Sequence, residues 1–360
     1  MSNTALAADR LYLDHAATTP MLPPAQAAMV GAMAVWANPS SPHADGRAAR
    51  AMLEDARARI AAALGWKGHI LFTSGASEAI AIGLTRAKAG RIVTSPVEHD
   101  AVLRVTRDAA RLAVTSDGIV SSPVHSSDDG NGAGLPLLAI QHVNNETGVI
   151  QPLDTIDRDG AILFADCAQS AGKLALPDAD MIAISAHKFG GPPGIGALLI
   201  RDLALIEPSG GQEQGYRPGT ENLPAILAMA AALEAGEDWL PRAADLRVRL
   251  DAAIEAGGGI VVARDAPRIP TIASYQMPGL SARAQLIQFD MAGISVSAGS
   301  ACSSGSLRTS HVLGAMGWDE GDAAQVVRVS FGPQTCDSDM DRFIAVWTAM
   351  ALKAKGRTSP

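Results

Sequence analysis

One lysine stands where its amine could act as a nucleophile. Lys188 closes the motif 185–188 (SAHK), which follows an apolar segment and precedes a glycine- and proline-rich segment, 189–196 (FGGPPGIG). A buried lysine loses its charge readily and can then attack a carbonyl to form a Schiff base. An isolated lysine in such a place is more often an exposed loop residue. The flanking histidine, serine and glycines favour a buried lysine that forms a Schiff base.

A carboxylate lies 22 residues before this lysine. Asp166 follows the apolar segment 162–164 (ILF), and Gln169 comes shortly after it. In α/β folds, ligands bind at the carboxyl ends of the strands. Pyridoxal phosphate (PLP) chemistry needs an acidic partner for the pyridinium nitrogen, and Asp166 is a candidate for it. The alternative is an aspartate that caps a helix.

Three further motifs follow predicted strands. Segment 73–78 (TSGASE) precedes an apolar helix and could offer N–H groups and hydroxyls to a phosphate. His99, in the pair 98–99 (EH), could stack on an aromatic cofactor, and Asn145, in 144–148 (NNETG), could donate hydrogen bonds. Each motif taken alone is also compatible with an ordinary turn.

A cysteine and an arginine complete the candidate chemistry. Cys302 lies among serines and glycine in 300–306 (SACSSGS), a context that favours exposure and a reactive thiolate over the buried, inert state of most free cysteines. Cys167 and Cys336 are interpreted as bystanders. Arg328 interrupts the apolar strand 326–331 (VVRVSF), and its fork suits a carboxylate.

Composition excludes several classes of protein. The chain has 360 residues, which at roughly 150 residues per domain suggests two domains. Its net charge of −8 without a basic block argues against a nucleic-acid binder or a basic membrane helix. Its three cysteines lack metal-site and disulfide-scaffold spacing, so no metal is predicted. No signal peptide or membrane-spanning segment is visible, which favours a cytoplasmic protein.

The elements that must position these residues alternate between helix and strand. A helix is predicted over 47–64 with Gly65 as its stop. Nearly continuous apolar runs, typical of strands buried on both faces, follow at 70–72, 91–94, 137–142, 162–164, 181–184 and 197–200. An α/β layered domain is expected. A helical region over 224–256 then leads to a smaller α+β domain with strands at 271–276, 295–297 and 326–331.

The ordered motifs resemble those of cysteine desulfurases in the class V aminotransferase family, over nearly the whole chain. They are 12–20 (YLDHAATTP), 38–41 (NPSS) with His43, 73–78, 98–99, 142–148 (HVNNETG), 166–173 (DCAQSAGK), 185–188, 217–220 (RPGT) and 297–304 (SAGSACSS). The resemblance implies PLP-dependent transferase fold type I, with a mostly parallel seven-stranded sheet in a large domain (15–245). The small α+β domain would comprise 1–14 and 246–360.

The resemblance also implies a role for each matching residue. Lys188 would hold PLP and move the Cα proton, while Cys302 would take sulfur from L-cysteine as a persulfide, leaving alanine. The other implied contacts are Asp166 with the pyridinium nitrogen, Gln169 with the ring hydroxyl oxygen, His99 stacked on the ring and assisting proton transfer, Asn145 with the cofactor, Ala76, Ser77, Ser185 and His187 with the phosphate, Thr220 with the phosphate from a second subunit, and Asn145, Arg328 and Asn38 with the substrate carboxylate.

The implied partners are L-cysteine, a second copy of the chain and a sulfur acceptor such as an iron–sulfur scaffold. Segments 118–137 and 155–161 are shorter than is usual in the family, and the C-terminus lacks the long tail that some relatives use to bind a scaffold. Three alternatives stay open: a selenocysteine lyase, an aminotransferase, and a sulfur-relay or scaffold protein that has the fold without the catalysis. A transaminase needs no thiol at position 302.

Overall fold

The computed structural model describes residues 10–35, 37–121, 134–236, 239–301 and 307–358. Its strands are β1 (Leu11–Tyr12), β2 (His69–Thr73), β3 (Ile92–Thr94), β4 (Ala110–Arg111), β5 (Leu137–Gln141), β6 (Ile162–Asp166), β7 (Met181–Ser185), β8 (Gly196–Ile200), β9 (Ile260–Val261), β10 (Ile272–Gln276), β11 (Ile294–Ser295), β12 (Ser300–Ala301), β13 (Leu307–Arg308) and β14 (Val326–Ser330). Its helices are α1 (Pro23–Met33), α2 (Ala44–Leu64), α3 (Ala76–Thr85), α4 (Asp100–Val105), α5 (Leu223–Glu234), α6 (Leu240–Ala256), α7 (Ala282–Met291), α8 (His311–Ala315), α9 (Glu320–Ala323) and α10 (Asp337–Thr358).

A seven-stranded sheet forms the centre of the fold, in the order β2-β8-β7-β6-β5-β3-β4. Its strands pair in parallel, except that β8 is antiparallel to both of its neighbours. The mostly parallel sheet and the six strand segments expected from the apolar runs are confirmed. Strand β4 was not predicted, because it consists of two exposed residues and therefore has no hydrophobic pattern.

Helices cover both faces of this sheet. Every residue of β5 to β8 is buried, as expected for strands packed on two sides. In β6, Leu163 packs in the cluster that contains α2 and α5, whereas Phe164 packs with α3 and α4 on the opposite face. Helix α2 ends as predicted at Gly65, which adopts a left-handed φ of 64°.

Smaller sheets lie beside this layer. Strands β14, β10 and β9 form an antiparallel sheet, and β1 pairs with β11 in parallel. Their core includes Phe289, Phe343 and Trp347. The helical region predicted over 224–256 is divided, since α5 ends at Glu234 and α6 begins at Leu240. The predicted domain boundary after residue 245 falls inside α6 and stays a prediction. Within the described ranges, no helix is both long and apolar enough to cross a bilayer.

A buried ion pair fastens the segment after β8 to the sheet. The carboxylate of Glu213 is fully buried, accepts two hydrogen bonds from Arg57 at 2.9 and 3.0 Å, and accepts a third from the backbone N–H of Phe72 at 2.8 Å. Glu213 and Gln214 also adopt positive φ angles of 49° and 57°, which are rare for residues with side chains. The pair therefore holds an unfavourable backbone turn in place.

Glu213→Ala is expected to lower the free energy of unfolding by about 3–5 kcal/mol, because it removes the buried carboxylate that pairs with the half-buried Arg57 and leaves this cation only its more exposed pair with Glu54. Denaturation by urea measures the loss. The matched control is Glu234→Ala, which breaks the solvent-exposed pair with Arg59 and should cost less than about 1 kcal/mol. Equal losses in the two variants would contradict this account of the buried pair.

Candidate active site

The carboxyl ends of the central strands surround a cleft of about 600 Å³. Asp166 is the last residue of β6, and Lys188 closes the helical turn that follows β7. Most of the site residues predicted from sequence line this cleft: Ala76, Ser77, His99, Asn145, Asp166, Gln169, Ser185, His187, Lys188 and Arg328. Asn38 and Thr220 are exposed and are not among the lining residues. Cys302 lies outside the described residues.

The Lys188 amine is held by backbone oxygens of the segment after β1. Its Nζ donates to the carbonyl of Ala16 at 2.6 Å and to that of Ala17 at 2.8 Å. Burial and, to a smaller extent, the charge of Arg328 lower its pKa to about 8, while Asp14 and Asp166 act in the opposite direction. A substantial fraction of the amine is therefore neutral near pH 8, as a nucleophile or a base requires.

Asp166 is buried at the base of the cleft, where its Oδ1 accepts a hydrogen bond from the backbone N–H of Ala168 at 2.9 Å. Burial raises its pKa, whereas interactions with His99, with the Ala168 N–H and with Lys188 act in the opposite direction. A cationic ligand group beside this carboxyl would favour its ionised form. The neighbouring thiol of Cys167 is fully buried, and burial raises its pKa, which agrees with its interpretation as a bystander.

His99 caps the N-terminus of α4 and is exposed at the cleft. Its Nδ1 accepts a hydrogen bond from the backbone N–H of Ala101 at 3.1 Å. The proton of the neutral ring therefore belongs to Nε2. Desolvation lowers the pKa of His99, and Asp166 partly offsets this effect. The ring can stack on a ligand while Nε2–H is free to exchange a proton.

The start of α3 forms an anion-binding corner. Gly75 precedes the helix with a φ of 153°, which side chains rarely permit, and its Cα lies close to Gly196 of β8. Ala76 and Ser77 begin the helix, where backbone N–H groups are free to bind an anion. His187 bonds to Thr18 Oγ1 at 2.9 Å, and burial lowers its pKa to about 4, so the ring is neutral at physiological pH.

Asp14 and His311 line the cleft but were not among the predicted site residues. Asp14 bonds to Arg328 across the cleft, and its only sequence signal was its place within the 12–20 motif. His311 lies in the cleft wall and donates through Nε2 to the carbonyl of Glu98 at 2.9 Å. Neither contact has a local sequence pattern, because each joins residues more than 200 positions apart.

Glu98 is fully buried below the cleft. It accepts hydrogen bonds from Ser95 Oγ at 2.6 Å and from the backbone N–H of Gln141 at 2.8 Å. Burial raises its pKa to about 8, and the charge of Asp166 adds to the effect. The folded protein therefore keeps a proton that the unfolded chain releases near pH 4.5, so this residue makes stability fall as pH rises from about 4.5 to about 8.

Glu98→Gln is expected to remove this component of the pH dependence, because the amide nearly matches the protonated carboxyl in shape and cannot ionise. The slope of unfolding free energy against pH should become flatter by up to about 1.4 kcal/mol per pH unit. Urea denaturation at several pH values between 5 and 8 measures it. Identical slopes for the two proteins would contradict the raised pKa.

The comparisons with known proteins agree with this geometry. The family model described as Aminotransferase class-V matches residues 11–343. An IscS-like cysteine desulfurase of Mycobacterium tuberculosis is 34% identical over 96% of this chain and 97% of its own length. A putative cysteine desulfurase IscS 1 of Bacillus subtilis is also 34% identical, over 90% and 94% of the two chains.

The chain belongs to the cysteine desulfurase family of class V aminotransferases.

Solved structures of the family share the fold. A NifS-like protein from Rickettsia africae superposes with a TM-score of 0.85 at 28% identity, covering 95% of this chain and 99% of its own. DndA from Streptomyces lividans has a TM-score of 0.72 at 32% identity, covering 89% and 99%. The fold class expected from the resemblance is thereby confirmed.

Cysteine desulfurases of this family use PLP, and the cleft has the features that PLP needs. Asp166 offers a buried carboxylate for a ring nitrogen, and the start of α3 suits a phosphate. Gln169 donates through its amide nitrogen to Ala16 O at 2.8 Å, whereas its Oε1 is buried without a hydrogen-bond partner among the described residues. Such an unsatisfied oxygen is costly and suits a hydroxyl of a bound ligand.

Proposed function

We propose that this chain removes sulfur from L-cysteine, releases L-alanine and carries the sulfur as a persulfide on Cys302. The observation that supports this most strongly is the convergence of three groups on one cleft. Lys188 supplies an amine with a lowered pKa, Asp166 supplies a buried carboxylate, and Arg328 supplies a guanidinium for an amino-acid carboxylate. The relatives named as cysteine desulfurases support the same substrate.

The cofactor would be held by residues that line the cleft. Lys188 would bind it covalently, Asp166 would face the ring nitrogen and His99 the ring. Further contacts would come from Gln169 and Asn145, and phosphate contacts from Ala76, Ser77, Ser185 and His187. When bound, PLP supplies an electron sink for the substrate Cα.

The remaining steps belong to side chains of the protein. Arg328 and Asn145 orient the substrate through its carboxylate, and the Lys188 amine takes the Cα proton. The Cys302 thiolate attacks the substrate sulfur, so that an S–S bond forms as the substrate C–S bond breaks, and the electron pair of the C–S bond stays on the substrate Cβ. His99 assists the transfer of a proton to this Cβ, which completes the alanine. The persulfide is then passed to an acceptor.

A second copy of the chain would complete the site. Thr220 is exposed outside the cleft of its own chain, yet by resemblance it contacts the phosphate. In a homodimer both would hold, because the Thr220 of each subunit would contact the phosphate in the cleft of the other subunit. Asn38 is exposed as well, with its Oδ1 accepting a hydrogen bond from the Ser40 N–H at 2.9 Å. Asn38 would therefore make a weaker contact with the substrate carboxylate than Asn145 and Arg328. An iron–sulfur scaffold as acceptor and a cytoplasmic location stay predictions from sequence.

The test is the product balance of the purified protein with L-cysteine and a thiol reductant. A desulfurase releases sulfide and alanine in equal amounts, whereas an aminotransferase forms a keto acid without sulfide. A parallel assay with L-selenocysteine separates a selenocysteine lyase, which would be far more active on that substrate. Absence of sulfide from protein that has bound PLP would overturn the proposal.

A further inference from the structure

The guanidinium of Arg328 is held from two directions before any substrate binds. Its Nη2 donates to Asp14 Oδ1 at 2.7 Å, and its Nη1 donates to the backbone oxygen of Asn145 at 2.9 Å. The arginine side chain is 8% exposed and that of the aspartate 21%. Both residues line the cleft beside Lys188. The Asp14 carboxylate thus already binds one N–H of the guanidinium that is expected to bind the substrate carboxylate.

We propose that Asp14 is a positioning residue that holds Arg328 ready to bind the carboxylate of the amino-acid substrate. The inference rests on the proposed function, because it takes Arg328 as the carboxylate-binding group. It assigns Asp14 no contact with the reacting atoms. Asp14 acts through the arginine, whose orientation it maintains.

The position of Asp14 is fixed with respect to the strand that carries the arginine. The N–H of Leu13 donates to the oxygen of Ser295 at 2.9 Å, and Asp14 itself forms a backbone bridge with Ser330. The N–H of Ala16 donates to Ser330 Oγ at 2.9 Å. Ser330 is two residues from Arg328 in β14. The backbone that carries the carboxylate is therefore bonded directly to the strand that carries the guanidinium.

The arginine needs this counter-charge. A buried cation without a partner is strongly unfavourable and turns toward water or other acceptors. Its Nε already lacks a hydrogen-bond partner among the described residues. Asp14 therefore holds the charged guanidinium in place at the edge of the cleft.

The two contacts leave enough donors for a substrate. A guanidinium has five N–H groups, two on each terminal nitrogen and one on Nε. After the bonds to Asp14 and Asn145, each terminal nitrogen keeps one N–H. Two N–H groups are the number that the two oxygens of a carboxylate need, and arginine binds carboxylates best through two such hydrogen bonds.

The test compares two binding probes that differ only in the carboxylate. L-Alanine and L-alaninamide are titrated into the PLP-loaded protein, and binding is followed by the visible absorbance of the cofactor. In Asp14→Ala, affinity for L-alanine should fall roughly tenfold, because a misplaced arginine loses a charged hydrogen-bonded contact. Affinity for L-alaninamide should stay within about twofold of wild type, since it makes no such contact. For L-cysteine, KM should rise with little change in kcat.

Two further variants keep the test decisive. Asp14→Asn retains an acceptor without the charge and should give an intermediate loss for L-alanine, even if the alanine variant folds poorly. Asp290→Ala removes the partner of Arg10 in an exposed ion pair and should change neither affinity. An equal loss for both probes, or no loss for either, would overturn the inference. The proposed function is judged separately by sulfide release from wild type, so its failure would not be confused with this one.

Discussion

Lys188→Ala is expected to lower the rate of sulfide release by about four orders of magnitude, because one residue supplies both the nucleophile and the base. The amine lies in the cleft with a pKa lowered to about 8, and no other amine is among the residues that line this cleft in the part of the chain that the structure describes. The variant should also lose covalent attachment of PLP. Borohydride reduction followed by peptide mass spectrometry measures the attachment, and a sulfide assay measures the rate.

The matched control is Lys88→Ala, which removes an exposed lysine paired with Glu207. This variant should keep wild-type activity and PLP attachment. If Lys188→Ala retained more than a few per cent of the wild-type rate, the assignment of Lys188 as the catalytic amine would be wrong. Attachment of PLP at another lysine in the wild-type protein would have the same consequence.

Asp166→Asn is expected to lower kcat by about 10²–10³-fold, the size found when one electrostatic partner of a transition state is removed. The asparagine can keep the hydrogen bond from the Ala168 N–H, so the local fold should survive. It cannot supply the negative charge that keeps a ring nitrogen protonated. The loss should therefore appear in kcat, while the content of bound PLP falls less. Steady-state kinetics and cofactor absorbance measure the two effects.

Asp178→Asn provides the comparison for this variant. Asp178 is an exposed carboxylate that pairs with Arg201 at the amino end of β7, the end opposite to the cleft. Its replacement should leave kcat unchanged. A kcat of Asp166→Asn close to that of wild type would show that Asp166 does not control the cofactor.

The sequence predicted the residues that follow directly from strands. Lys188 and Asp166 come at the ends of apolar segments, so the parallel sheet brings them to one edge without further information. The glycine-rich start of α3 follows from the same logic. These are local signals, in which one strand and its next few residues contain the whole argument.

The rest depends on contacts that have no local pattern. The bond of Arg328 to Asp14 joins residues 314 positions apart, and the Lys188 amine meets the carbonyl of Ala16 across 172 positions. Strand β4 has no apolar alternation, and the break between α5 and α6 lies in an alanine-rich region that periodicity alone reads as continuous. The role of Thr220 could not be predicted from the fold of one chain, because its expected contact is a phosphate bound in the cleft of another copy of the chain.

The most direct test of the central claim is to locate the sulfur on the protein. PLP-loaded protein is incubated with L-cysteine without reductant, alkylated and digested, and the peptides of all three cysteines are examined by mass spectrometry. We predict one additional sulfur atom on Cys302, none on the buried Cys167 or on the exposed Cys336, and formation of alanine in the same sample. Alanine formation with the added sulfur on Cys336, or with no added sulfur on any cysteine, would contradict the account.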